Sequence, residues 1–223
     1  MQENSEISRY EDAAKFIAAT DTDFASLIAN VGPCLLQAKA ERNPYEALIR
    51  SIAYQQLNGK AAEAILGRFL ALFPDDFPSP EQILATDNAV IRGCGFSASK
   101  LLAIRSLAEN ALAGVVPTSE EAQKLSNEEL IERLVTLRGI GRWTVEMLLI
   151  FNLQRMDVLP VDDFGVREGW RLLKGLSEQP KPKVLAKIGE VWSPYRSVAT
   201  WYLWRAVDWY KHHANSLQLS RFL

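Results

Sequence analysis

The 223-residue sequence predicts an all-α fold. Three observations carry that prediction. Apolar residues recur at three- and four-residue spacing almost throughout. No alternating apolar and polar run survives beyond a few residues. Helix-start signals precede several of the periodic segments. At 48% hydrophobic and 23% charged residues, the chain has material for one large or two small domains around an apolar core. Met1 to Glu11 is polar and acidic, unlike a secretory leader. No stretch approaches the roughly 18 consecutive apolar residues of a membrane span. Two cysteines, Cys34 and Cys94, are too few for a disulfide framework or a four-thiolate metal cluster. The expectation is a soluble intracellular protein, cytoplasmic or nuclear.

The elements read as follows. Asn43-Pro44-Tyr45-Glu46 starts a helix with a cap, a proline in the first turn and a carboxylate reaching back. It buries Leu48, Ile49, Ile52 and Ala53 and runs out near Gln55-Gln56-Leu57-Asn58-Gly59. A second helix from about Lys60 to Leu72 sets Ala64, Ile65, Phe69 and Leu72 on one side. Short helices follow over Pro78 to Ala85 and Asp87 to Arg92. Gly93 and Gly95 break the next connection, and Ser97 to Ala113 is a long amphipathic helix ending at Gly114. Ser126-Asn127-Glu128-Glu129 is a capping box opening a helix with Leu130, Ile131, Leu134 and Val135. After Leu137-Arg138-Gly139-Ile140-Gly141 comes a helix from Arg142 to about Asn152. A loop through Pro160-Val161-Asp162-Asp163 leads to three more helices, the last a tryptophan-rich one from about Tyr195 to His212. With no low-complexity linker, compact helical subdomains joined by long-range contacts are expected.

A formal net charge of −2 does not advertise a nucleic-acid binder. Its distribution is uneven: from Phe164 onward there are 10 lysines and arginines against 4 carboxylates, leaving 15 against 23 elsewhere. Charge matters for a phosphate backbone only where it faces one, so a mildly acidic chain can carry a basic face.

Gly139 and Gly141 stand between two amphipathic helices, where glycine permits positive φ and a close backbone approach. The helix that follows at once points its free amides and positive dipole end outward, a site suited to a phosphate. Gly-x-Gly alone reads more readily as a plain turn. Leu137-Arg138-Gly139-Ile140-Gly141-Arg142-Trp143-Thr144, however, resembles the hairpin of the helix-hairpin-helix DNA glycosylase superfamily. There a Gly/Pro-rich loop and an aspartate follow the second helix, and Asp157-Val158-Leu159-Pro160-Val161-Asp162-Asp163 stands at that distance. Gly95 to Pro117, Trp192-Ser193-Pro194-Tyr195-Arg196-Ser197 with Trp204, and Ile52 to Ala62 resemble segments of 3-methyladenine DNA glycosylases of the AlkA type. The resemblance covers roughly Asn43 to Trp209. Longer members carry an additional N-terminal α/β domain, for which this chain has no room, so it resembles the compact ones.

The resemblance implies two helical subdomains, one of about residues 43–155 and one of 1–42 with 156–223, with the active site in the cleft between them. It implies a monofunctional glycosylase that hydrolyses the N-glycosidic bond of alkylated purines in duplex DNA. Such an enzyme must extrude its target base, and something must fill the gap. By resemblance Gln56 is the plug, with Leu57 beside it and Asn58 probing neighbouring base edges. Read without the family, Leu57 is a core residue and Gln56 ends a helix. A cationic alkylated base leaves readily, so the need is for negative charge beside the developing oxocarbenium ion and a directed water. Asp163 occupies the catalytic position, a one-residue shift would exchange it with Asp162, and Asp162 is expected to cap or orient. Trp143 and Trp204 fall where aromatic walls attract a cationic base. Tyr54 and Tyr195 are further pocket candidates, and Met147 stands where an aromatic is expected. Trp170, Trp192 and Trp201 read as core.

Relatives that cut the strand carry a lysine at position 143; Trp143 cannot form a Schiff base, so no lyase activity is expected. No cysteine follows Cys94, which leaves no ligands for the iron–sulfur cluster of some relatives. The hairpin of the superfamily commonly holds a sodium or potassium ion, here on the backbone carbonyls of Val135, Leu137 and Ile140. No cofactor is required for the chemistry. The adjacent His212 and His213 are the only histidines, which speaks against a catalytic zinc. Backbone contacts to DNA are expected from Gly139, Ile140, Gly141 and Thr144, and from Arg138, Arg142 and Lys60, although each cation reads equally as merely solvated. Arg167 can pair with Asp163 or hold a phosphate. The expected partner is double-stranded DNA with alkylated bases, and the expected state a monomer. Two rival classes need fewer features: a non-catalytic DNA-binding module needs only the hairpin, and a helical adaptor needs neither hairpin nor aspartate.

Overall fold

A computed structural model describes residues 2–37, 39, 41–57 and 59–219, with side chains considered for 9–212 of these. Thirteen α-helices and no strand occur among the described residues. In chain order they are α1 (Gln2–Thr20), α2 (Thr22–Val31), α3 (Pro44–Tyr54), α4 (Gly59–Leu70), α5 (Pro80–Ala85), α6 (Asn88–Gly93) and α7 (Ala98–Leu112). Then come α8 (Ser119–Lys124), α9 (Asn127–Leu134), α10 (Arg142–Phe151), α11 (Phe164–Leu173), α12 (Pro182–Ile188), a 3₁₀ turn (Gly189–Trp192) and α13 (Arg196–Leu219). The chain divides into one unit of Met1–Gln37 with Arg155–Leu223 and another of Ala38–Gln154. None of the described helices is long and apolar enough to cross a membrane.

The second unit is built from helices whose starts are written in the sequence. Asn43 accepts from the Glu46 amide ahead of α3, Ser97 from the Lys100 amide ahead of α7, and Ser126 forms a full capping box with Glu129 on α9. Each satisfies amides that would otherwise lack a partner, worth about 1 kcal/mol per cap. The buried faces of α3 (Leu48, Ile49, Ile52), α7 (Leu101, Ile104, Leu107), α9 (Leu130, Ile131, Leu134) and α10 (Val145, Leu148, Leu149) form its core. Phe69 anchors one end, edge-on to both Phe73 and Phe96 at 5.4 Å.

The first unit joins the two ends of the chain. Phe24 of α2 meets Trp192 edge-on at 5.3 Å, and Trp192 meets Trp170 of α11 at the same separation. Burying a ring as fully as Phe24 contributes about 2–3 kcal/mol. Trp170, Trp192 and Trp201 are all buried. Helices α11 and α13 cross so closely that a Cβ at Gly169 would overlap the Leu203 carbonyl. Only glycine permits that approach. Lys174 closes the end of α11 onto α2 through Asp21 at 2.6 Å and through Asp23.

The structure departs from the sequence prediction in length and number of elements. Helix α3 stops at Tyr54, α4 at Leu70, and α13 begins at Arg196 and continues to Leu219. Helices α1, α2 and α8 were not anticipated. Yet Thr118-Ser119-Glu120-Glu121 carries the same capping box as α9, and Asp21 caps α2. These starts precede helices of 6 and 10 residues, and the caps were local signals that the reading passed over.

Candidate active site

In the first unit the loop ahead of α11 is fastened to α13 by a polar zipper. Ser197 donates its hydroxyl to the Arg155 carbonyl at 2.6 Å and accepts from the Val158 amide at 3.1 Å. Its own amide bonds the Met156 carbonyl at 2.9 Å. Thr200 donates to the Val158 carbonyl at 3.3 Å. Asp157 accepts both Arg196 Nε at 2.6 Å and an Arg196 terminal nitrogen at 2.8 Å, and Ser193 adds a third bond at 3.0 Å. Burial pushes the Asp157 carboxyl up, but the Arg196 and Ser193 hydrogen bonds outweigh it and hold the pKa below the usual value.

The zipper delivers the chain to a turn in which the Asp163 amide bonds the Pro160 carbonyl at 3.0 Å. That turn makes Asp163 itself the N-cap of α11. Its Oδ1 accepts the Val166 amide at 2.8 Å and the Trp204 indole Nε1–H at 3.0 Å. The capping duty expected of Asp162 is therefore carried by Asp163, while Asp162 is exposed in the turn. Trp204, expected as an aromatic wall, is half-buried and also holds the carboxylate. Gly165 makes room for it: a Cβ there would lie 3.0 Å from Trp204 Cδ1 and 3.1 Å from Asp163 Oδ1. Arg167 makes no ion pair with Asp163. Its amide bonds the Asp163 carbonyl at 3.1 Å, and its Nε is buried without a partner. Tyr195 is half-buried, with its ring edge-on to Phe16 of α1 at 5.3 Å. Phe164, next to Asp163, is 68% exposed, and no motif or spacing singles it out.

The second unit presents the hairpin. Leu137 and Ile140 are buried while Arg138 is exposed, so the apolar residues pin the turn. Gly139 has φ +79°, and a Cβ on it would come within 2.7 Å of Ala103 Cβ. Gly141 is the N-cap of α10, with no side chain to cap the first amides. A helix start without a side-chain cap, with its positive dipole end, has the chemistry to receive an anion. Arg142 departs from expectation. It is engaged by Glu128 at 2.7 Å and by the buried Glu146 at 3.1 Å instead of standing open to a phosphate. Burying a carboxylate demands such a cation. Thr144 is buried as well, so its side chain belongs to the packing of α10. Lys60 is exposed in the first turn of α4. The carbonyls of Val135, Leu137 and Ile140 are neutral oxygen donors that suit a hard monovalent cation. Leu137 already accepts the Ile140 amide at 3.1 Å, and a carbonyl retains a second lone pair.

Trp143 is 40% exposed at the start of α10, and Met147 stands one turn later, half-buried. Tyr54, 42% exposed, ends α3 on the same unit. Beyond Tyr54 the chain turns sharply: Gln56 has φ +57°, a left-handed conformation costing a side-chain-bearing residue about 1–2 kcal/mol. Gln56 and Leu57 are both exposed there, so neither is a core residue. Asn58 lies outside the described residues.

A hairpin between two helices, with a carboxylate held at the start of a later helix, defines a helix-hairpin-helix protein with a fixed acid. Residues 49–194 match the HhH-GPD superfamily base excision DNA repair protein family, and the chain belongs to that family. It is 49% identical over 180 residues to DNA-3-methyladenine glycosylase 1 of Schizosaccharomyces pombe, covering 80% of this chain and 78% of that one. To the alkylbase DNA glycosidase-like protein mag2 of the same yeast it is 39% identical over 203 residues, covering 90% and 95%. Among solved structures, the S. pombe 3-methyladenine DNA glycosylase Mag1 in complex with abasic DNA superimposes with a TM-score of 0.80. That match has 45% identity and covers 87% of this chain and 95% of that one.

Proposed function

We infer that the chain is a monofunctional DNA glycosylase of base excision repair. It hydrolyses the N-glycosidic bond of alkylated purines such as 3-methyladenine and 7-methylguanine in duplex DNA and leaves an abasic site. The observation that carries this is Asp163: a carboxylate fixed by an amide and an indole at the start of α11, in a chain of this family.

The chemistry follows from the leaving group. Alkylation at N3 or N7 gives the purine a formal positive charge, so the C1′–N bond breaks with its electron pair returning to the base, which departs neutral. The sugar is left as an oxocarbenium ion, stabilised by the negative charge of Asp163. Water adds to C1′, and the proton it loses passes to the carboxylate and on to solvent. Two hydrogen bonds to one oxygen keep the carboxylate from rotating as this charge develops. Trp143, with Tyr54 and Met147 on the same unit, supports recognition of a flat electron-poor ring. Gln56 and Leu57 support the filling of the vacated stack, and the hairpin amides the holding of a phosphate. The carbonyls of Val135, Leu137 and Ile140 would hold a sodium or potassium ion, adding positive charge at the hairpin. Tryptophan at position 143 supports base removal without strand cleavage, because it offers no amine to the sugar. The protein acts as a monomer on one face of the duplex, in the cytoplasm or the nucleus.

The test is release of free methylated bases from methylated duplex DNA by the wild type and by Asp163→Asn. The asparagine retains an oxygen to cap α11. Loss of release by about 10²–10³-fold with DNA binding retained is the expected result. Wild-type protein that binds duplex but frees no base would overturn the assignment.

A further inference from the structure

The loop that carries Gln56 and the hairpin are far apart in sequence, yet four contacts tie them together. Lys100, on α7, donates from Nζ to the carbonyls of Ala53 and Gln55, each at 2.8 Å. Both carbonyls belong to the end of α3, where the helix has run out of amide donors. One turn further along α7, Ala103 is the surface against which Gly139 packs, so closely that no Cβ fits between them. Gln55 then closes the ring directly: its side-chain Nε2 donates to the Gly139 carbonyl at 2.9 Å, across 84 positions of sequence. Gln56, in its left-handed conformation, follows a residue tied down at both its carbonyl and its side chain.

We propose that Lys100 and Gln55 are positioning residues that set the spacing between the wedge at Gln56 and the hairpin at Gly139, so that extrusion of a paired lesion depends on them. This rests on the glycosylase function and on Gln56 as the wedge. The physical reason is that extrusion requires force against a fixed point. A hairpin that holds phosphates is such a point only if the wedge cannot slide relative to it. An ammonium bridging two carbonyls and an amide bridging to a third are short, directional links suited to that. Lys100 is half-buried, and burial pushes its pKa down. Its charge is directed at the end of α3, where it opposes the negative end of the helix dipole.

A helix-capping lysine could serve stability alone, so the test must separate the two roles. Single-turnover release of 7-methylguanine is measured from a duplex with the lesion opposite cytosine and from one with it opposite a tetrahydrofuran spacer. An unpaired base costs less to extrude. Lys100→Met and Gln55→Ala should each slow release from the paired duplex about tenfold and from the unpaired one less than about threefold. Lys100→Arg, whose guanidinium can also bridge two carbonyls, should keep the paired rate within about twofold of wild type. Thermal melts check folding, and Gln55→Ala carries the test if Lys100→Met does not fold. Equal slowing on both duplexes, or none on either, overturns the proposal. Gln56→Ala distinguishes the failures. If it leaves the paired rate unchanged, the wedge role falls and the spacing role with it. If it slows paired release while Lys100→Met and Gln55→Ala do not, only the spacing role is wrong. A wild type that releases no base from either duplex removes the activity itself.

Discussion

The two units hold their candidate functional residues by different means. Asp163 sits where backbone packing leaves no choice. Helices α11 and α13 touch through Gly169 and Leu203, Gly165 admits the Trp204 indole, and the carboxylate caps its own helix. Gln56 sits on an exposed tip in an unfavourable conformation, and its neighbour is secured by long side chains reaching to carbonyls. The contrast fits the two proposed tasks. A group that stabilises charge at a fixed carbon gains from immobility. A group that enters a base stack needs a fixed anchor and a tip exposed enough to penetrate.

Three measurements sharpen or break this comparison. The largest effect is expected at Gly169. Gly169→Ala forces α11 away from α13 and should destabilise the fold by about 3 kcal/mol, a Tm fall of roughly 10 °C in a melt. An unchanged Tm would mean that the backbone contact does not fix the carboxylate. Next comes Trp204→Phe, which keeps a ring against Gly165 but removes the indole N–H from Asp163. Single-turnover base release should fall about tenfold, with DNA affinity and Tm little changed. A loss of affinity without a loss of rate would make Trp204 a base-stacking wall and nothing more. The smallest effect concerns Glu168, bonded by Arg171 and Gln179. Arg171 above all draws its carboxyl down from 4.5 to about 2. Because the folded pKa is depressed, the stabilisation is complete above about 4.5 and is lost as pH falls toward 2. Glu168→Gln should therefore lower Tm by a few degrees, about 1 kcal/mol, near neutral pH, with the difference closing over that acidic range.

Much of the fold was legible because helix starts are local. Asn43, Ser97 and Ser126 bond amides within three residues, so a cap and the apolar period after it suffice. The hairpin was legible for the same reason, since Gly139 and Gly141 lie between two periodic segments. The site was legible by position and less so by role. An acidic pair before a helix announces a cap, but which member caps depends on the turn closed by the Asp163 amide on Pro160, which the composition does not reveal. Arg142 looked open because its partner Glu128 stands 14 residues earlier, on another helix. The Gln55 link to Gly139 spans 84 positions and leaves no periodic trace at all.

The engagement of Arg142 by Glu128 and Glu146 bears on how such a protein would search a genome. Each phosphate neutralised by a free cation releases condensed counterions and steepens the salt dependence of binding by nearly one unit of log–log slope. An arginine already balanced by two carboxylates contributes little to that count, and the uncapped amides at Gly141 carry no net charge. A hairpin built this way would grip phosphates by geometry more than by ion exchange.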